Sequence, residues 1–178
     1  PSDYIETRKG IRWKEGSINQ RKYKGDFTMK MHIIGTGTAT VSKYINTSCV
    51  FEEDDQLFLV DGTGGSDILR AFDTMNLNWK KLHYAFLSHE HTDHFLGMIW
   101  VIRTIAELLE LEEYEGDFYL YGNDVVLGKV LHVCRMILKK RSQAFLETRI
   151  KFVLVKDHER KHILNYDFTF FDIGSTKA

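Results

Sequence analysis

The chain has 178 residues, 43% hydrophobic and 28% charged, with 24 lysines and arginines against 25 acidic residues and a formal charge of −1. This composition excludes a disordered, collagen-like or coiled-coil chain and suits one globular domain with a real core. There is no global basicity to argue for nucleic acid, and no apolar run reaches the ~18 residues of a membrane helix, so no membrane association is expected.

Two cysteines, Cys49 and Cys134, are too few for a disulfide framework or a cysteine-based zinc ribbon. They fit a reducing, cytoplasmic compartment. The N-terminus, PSDYIETRKG, lacks the apolar core of a signal peptide. Residues 1–28 read as a basic extension. They hold Arg8, Lys9, Arg12, Lys14, Arg21, Lys22 and Lys24 against Asp3, Glu6, Glu15 and Asp26, without apolar period. A plain extension and an arm that touches a partner are both open.

From Met29 to Ala178 the chain reads as one domain. MKMHIIG (29–35) is a short apolar strand ending in the turn Gly35-Thr36-Gly37. Residues 48–52 and 56–60 are two more strands, joined by the turn Glu53-Asp54-Asp55. Asp61-Gly62-Thr63-Gly64-Gly65 follows, and then a helix over 66–76 with Ile68, Leu69 and Phe72 at helical spacing. Residues 82–87 form an apolar strand. From His94 a helix carries Ile99, Ile102, Ile105, Ala106 and Leu109 on one face. A strand at 117–121 precedes a helix capped by Asn123 or Asp124 that reaches Lys140, with Val126, Val130, Leu131, Cys134 and Leu138 apolar. Strands at 149–155 and 167–173 complete the pattern. Hairpin-like strands first and helix-separated strands later give an α/β (α+β) class with a mixed sheet.

The segment with chemical content is Leu87-Ser88-His89-Glu90-His91-Thr92-Asp93-His94. Imidazole nitrogen and carboxylate oxygen are ligand types for zinc and similar ions. Placed where a strand ends and a helix begins, His89 and His91 can share one ion while Asp93 and His94 face a second. Two ions ~3.5–4 Å apart stabilise both the attacking and the leaving oxygen of a displacement. A solvated polar loop is the bland alternative, and the density of histidine argues against it. His32 and His83 sit in strand-like runs and read as core or edge residues, and His132 as a structural helix residue. His158 and His162, four apart, have the spacing to chelate an ion from a helix, although their charged surroundings suit a solvated face better. Lys139-Lys140-Arg141 reads as a solvated helix end.

His89-x-His91-x-Asp93-His94 resembles the H-x-H-x-D-H signature of the metallo-β-lactamase superfamily. The glycine turn, the hairpin, LVDGTGGSDILR (59–70) and LSHEHTDHFLG (87–97) follow the order of its ribonuclease Z-like branch, closely over residues 29–112 and loosely beyond. The resemblance implies an αββα sandwich, of which this chain supplies roughly the first half plus the extension. It implies two divalent ions, zinc or alternatively manganese, held by His89, His91, Asp93 and His94. It also implies that Asp61 orients a ligand histidine. Asp93 would ligate and also take a proton from water. Gly62, Gly64 and Gly65 serve the turn and close packing.

The resemblance further implies a third histidine, a bridging aspartate and a last histidine. Gly174 stands where the branch carries the first of these, and the chain ends too soon for the others. A longer polypeptide or a shortened relative would account for this, the former being favoured. In isolation the inner face of the sheet would be uncovered, with a homodimer as one cover. The implied function is metal-assisted hydrolysis by hydroxide on a phosphodiester, with RNA as one candidate substrate. Against a transfer RNA precursor stands TATVSKYINTS (38–48), which replaces the branch's proline- and arginine-containing loop. A small-molecule phosphodiester, thioester or lactone hydrolase and a metal-poor binding module are the alternatives.

Overall fold

A computed structural model describes residues 4–6, 12–14 and 29–174. Of the basic extension it includes only two short strands, β1 (Tyr4–Glu6) and β2 (Arg12–Lys14), which pair antiparallel. The charges expected to make an arm at Arg8, Lys9, Arg21, Lys22 and Lys24 lie outside the described residues.

A six-stranded sheet organises the domain, in the order β3-β4-β5-β6-β7-β8. Its strands are β3 (Lys30–Gly35), β4 (Ser48–Glu53), β5 (Gln56–Val60), β6 (Leu82–Phe86), β7 (Phe118–Gly122) and β8 (Ile150–Leu154). β3, β4 and β5 run antiparallel, and β5 to β8 run parallel, so the expected mixed sheet is present. The reason is in the connections. Asp54 and Asp55 turn β4 into β5 with φ of 47° and 63°, the left-handed pair that a two-residue hairpin requires and that aspartate tolerates. A parallel partner instead needs a crossover, supplied by α1 (Asp67–Thr74), α2 (Thr92–Glu110) and α3 (Asp124–Ile137).

The helices cover one face of the sheet. Ile68 and Phe72 of α1, Met98, Ile102 and Ile105 of α2, and Val126 and Val130 of α3 pack with Val50, Leu57, Leu59, Ala85 and Leu120 in one buried cluster. Alternation along the strands sends Phe51, Phe58 and Tyr121 to the opposite face, into a second cluster.

That opposite face is where expectation and structure part. The single strand expected over 167–173 is instead a hairpin of β9 (Arg160–Ile163) and β10 (Tyr166–Thr169). It lies against the face that the sequence left uncovered. The Phe168 ring meets Phe58 edge-on at 4.9 Å, and Ile163 and Phe170 join the same cluster. Buried Glu53 fastens the turn, its Oε2 accepting the Asn165 backbone N–H at 2.9 Å. Other boundaries shift as well. α2 begins at Thr92 rather than His94, and the helix expected to reach Lys140 stops at Ile137, with a separate short helix, α4 (Lys140–Gln143), behind it. Asn123 caps α3 as expected, its side chain accepting the Val126 N–H at 2.9 Å.

Candidate functional site

The chemistry-bearing residues gather where β5 and β6 end, outside the carboxyl edge of the parallel strands, the usual place for a site in such sheets. Asp61 follows β5 with φ 62°, and Thr63 follows with φ 68°. A β-branched residue in that region is strained and persists only where the surroundings dictate it. Here they do. The Asp61 N–H bonds Phe86 O at 2.9 Å, the Gly62 N–H bonds His94 O at 2.9 Å and the Gly97 N–H bonds Thr63 O at 3.0 Å. The loop is thereby laced to the first turns of α2. A Cβ on Gly97 would stand 1.5 Å from Gly62 O, and one on Gly62 would stand 2.1 Å from Met98 N. The close-packing role expected of Gly62 holds, with Gly97 as its counterpart on the helix, and a Cβ on Gly64 would meet Asn46 Oδ1; Gly65 has open space at its Cβ position, so close packing does not account for it.

Asp61 is 1% exposed and accepts from several donors. Its Oδ1 takes the Ser88 N–H at 2.9 Å and the Ser88 hydroxyl at 2.8 Å, and its Oδ2 lies 2.9 Å from His94 Nδ1. An ionised carboxylate only accepts, so His94 carries its proton on Nδ1 and turns Nε2 the other way, toward Asp93. The role expected of Asp61, fixing a histidine tautomer, has the contact it needs. Ser88 does a similar service next door, its Oγ 2.8 Å from His89 Nδ1.

The four expected ligands form two adjacent pairs. His89 Nε2 lies 3.1 Å from His91 Nδ1, and His94 Nε2 lies 3.0 Å from Asp93 Oδ2. The His89 ring is 4.6 Å from that of His91 and 4.3 Å from that of His94, so the pairs adjoin. No three His, Cys, Asp or Glu side chains among the described residues close round a common point as a finished cage. The pair spacings nonetheless suit an ion. Two donors ~2.0–2.1 Å from one zinc at the tetrahedral angle sit about 3.3–3.4 Å apart, within a few tenths of an ångström of these. The charges also suit one. A carboxylate oxygen beside an imidazole nitrogen needs a positive charge between them, either a proton or a metal ion. Asp93 and His94 are buried while His91 is exposed, so the group opens to solvent on the His91 side.

Glu90, between the first two histidines, reaches α3, where the Lys129 ammonium donates to its Oε1 at 2.9 Å. That hydrogen bond holds the Glu90 carboxyl below the usual range, against the opposing effect of burial. Sequence reasoning missed Ser88, Glu90, Lys129 and Gly97. Ser88 and Gly97 stand in the motif and signalled nothing by type, and Lys129 lies 39 residues from its partner.

The remaining histidines stay apart from this group. His32 Nε2 pairs with Glu52 at 2.7 Å on the edge strand. His83 Nδ1 lies 3.1 Å from the Tyr114 hydroxyl, which donates to Leu82 O. Both are structural, as expected. His132 is exposed on α3 rather than packed. His158 and His162 share no helix: His162 lies on β9 beside Asp167, and His158 in the preceding turn. Helical spacing is therefore irrelevant to them. Arg141 pairs with Glu110, which consumes part of the small basic cluster. Gly174 has φ 64° and open space around its Cβ position, so backbone conformation gives a reason for glycine there.

Residues 29–173 match the family model described as Anti-Pycsar protein Apyc1. The chain belongs to that family. A ribonuclease Z from Bacteroides fragilis is 35% identical over 81 residues, covering 44% of this chain and 26% of the relative. Among solved structures, a diphosphatase of the PhnP family superimposes with a TM-score of 0.60 at 19% identity, over 80% of this chain and 57% of that one. The metallo-beta-lactamase fold protein YhfI from Bacillus subtilis does so with 0.55 at 21%, over 75% and 49%. The fold expected from the sequence, that of the metallo-β-lactamase superfamily in its ribonuclease Z-like branch, is thus borne out. The chain spans about a quarter of the ribonuclease Z it matches and about half of these solved chains.

Proposed function

We propose that this chain carries the ligand loop of a metal-dependent hydrolase that cleaves phosphodiesters. One observation carries the proposal: His89 with His91, and Asp93 with His94, present donor pairs 3.1 and 3.0 Å apart at the end of β6. Their atom types and spacing suit two adjacent divalent ions, zinc or manganese. Such ions supply Lewis acidity and bring the pKa of water from ~15.7 toward ~7. The chain's own residues do the rest. Asp61 keeps the proton of His94 on Nδ1 and so directs Nε2 outward. Ser88 orients His89 in the same way. Asp93, buried at one end of the group, would both ligate an ion and accept a proton from water. The strained loop at 61–63 and its bonds to α2 hold Asp61 against Ser88 and His94 before anything binds.

The ribonuclease Z relatives favour a nucleic acid phosphodiester. The loop at 38–48 favours a smaller one, because it lacks the proline and arginine that the branch places there. Both substrates test the reading in one assay on the polypeptide carrying this chain. Bis(4-nitrophenyl) phosphate and a 3′-extended transfer RNA precursor are incubated with zinc or manganese. Metal-dependent turnover that falls at least ~100-fold in Asp93→Asn is expected. Cleavage of the small ester alone assigns the smaller substrate. A folded, metal-loaded protein that cleaves neither contradicts the proposal.

A further inference from the structure

Residues 87–91, the run that carries His89 and His91, belong to neither strand nor helix. Such a stretch is held only by what its side chains and ends find. Its start is fixed by the Leu87 N–H on Tyr121 O at 2.9 Å and by Ser88 on Asp61. Its end is fixed by His91 O, which accepts from the His94 and Phe95 N–H groups as α2 begins. Between these anchors, Glu90 reaches across to α3 and pairs with Lys129 at 2.9 Å. The Glu90 side chain is 26% exposed, and its second oxygen, Oε2, is buried with no hydrogen-bond partner among the described residues. Burying an unbonded carboxylate oxygen is costly, so the side chain sits where it does for the sake of the Lys129 contact.

We infer that Lys129 is a positioning residue: through Glu90 it pins the middle of the ligand run to α3, and so sets the approach of His89 Nε2 to His91 Nδ1. The inference rests on the metal reading above. α3 is a sound anchor, because Val126 and Val130 on either side of Lys129 are fully buried in the core. A residue that orients ligands without touching the ion typically alters affinity 10–100-fold. A half-exposed lysine belongs at the low end of that range.

Two measurements on the intact polypeptide decide the matter. The first is zinc affinity by competition with a chromophoric chelator. The second is amide hydrogen exchange of residues 88–91 in chelator-treated protein, read with the unfolding temperature. Lys129→Met is expected to weaken zinc binding about tenfold and to speed exchange at 88–91, with the unfolding temperature of the metal-free protein unchanged. Lys129→Arg is expected to retain both properties. The Glu90→Gln/Lys129→Met pair is expected to be no worse than Lys129→Met. Unchanged affinity and exchange in Lys129→Met overturn the inference, and so does a general loss of stability. If the unsubstituted protein binds no zinc, the metal reading falls, while exchange at 88–91 still judges the tether by itself.

Discussion

Asp61 carries more of the site's geometry than any of the ligand candidates. It is almost fully buried, yet its carboxylate is ringed by Ser88 N–H, Ser88 Oγ and His94 Nδ1. Asp61→Asn keeps the shape and removes the charge and one acceptor. The amide then offers a donor to His94 Nδ1 and favours the wrong tautomer. Zinc affinity is expected to drop 10–100-fold, checked by chelator competition, with the fold retained. Unchanged affinity would mean that His94 needs no such partner. At this scale the sequence was informative where chemistry is contiguous. His89, His91, Asp93 and His94 sit within six positions, and Asp61 closes a recognisable run. Ser88, Gly97 and Lys129 were not legible, because a hydroxyl, a missing Cβ and an ammonium acquire meaning only from what the fold sets against them.

Among the elements, the β9–β10 hairpin does the work least foreseen. Its first strand, RKHI, is polar in three of four residues, so periodicity gave no reason to read a strand there. Only pairing with β10 and docking on Phe51 and Phe58 make it one. The strands and helices before it were legible because each carries an apolar face at the right period, and the turns carry their own residues, as Asp54 and Asp55 do. Phe168 holds the hairpin down, 2% exposed and edge-on to Phe58. Phe168→Ala is expected to cost about 3–4 kcal/mol in urea unfolding, by lost burial and the cavity left behind. A loss under ~1 kcal/mol would show that the hairpin is not part of the cooperative core. The ligand loop lies at the carboxyl edge of the parallel strands. Its apolar anchor, Leu87, belongs to the helix-side cluster and the rest is held by hydrogen bonds, so its response to Phe168→Ala is expected to follow global stability alone.

For the molecule as a whole, three buried acids give a pH dependence of definite sign. Burial pushes the Cys134 thiol up to about 12, and the Tyr121 hydroxyl up to about 12. It raises Tyr114 as well. Each folded-state pKa lies above its unfolded value, so the folded state holds more protons at alkaline pH. The stability they contribute is intact below pH ~9 and declines as pH climbs from there toward 12. Urea midpoints are expected to fall across that window, and Cys134→Ala is expected to soften the fall. A flat profile from pH 8 to 11 would contradict the burial of these groups. Among the described residues no helix is long and apolar enough to cross a membrane. Whether the loop holds ions is read from the zinc content of the dialysed, folded polypeptide by mass spectrometry, with His89→Ala beside it. About two equivalents per chain are expected in the unsubstituted protein, with a clear loss in His89→Ala at unchanged unfolding temperature. Equal zinc in both proteins, or none in either after supplementation, would contradict ion binding by the loop.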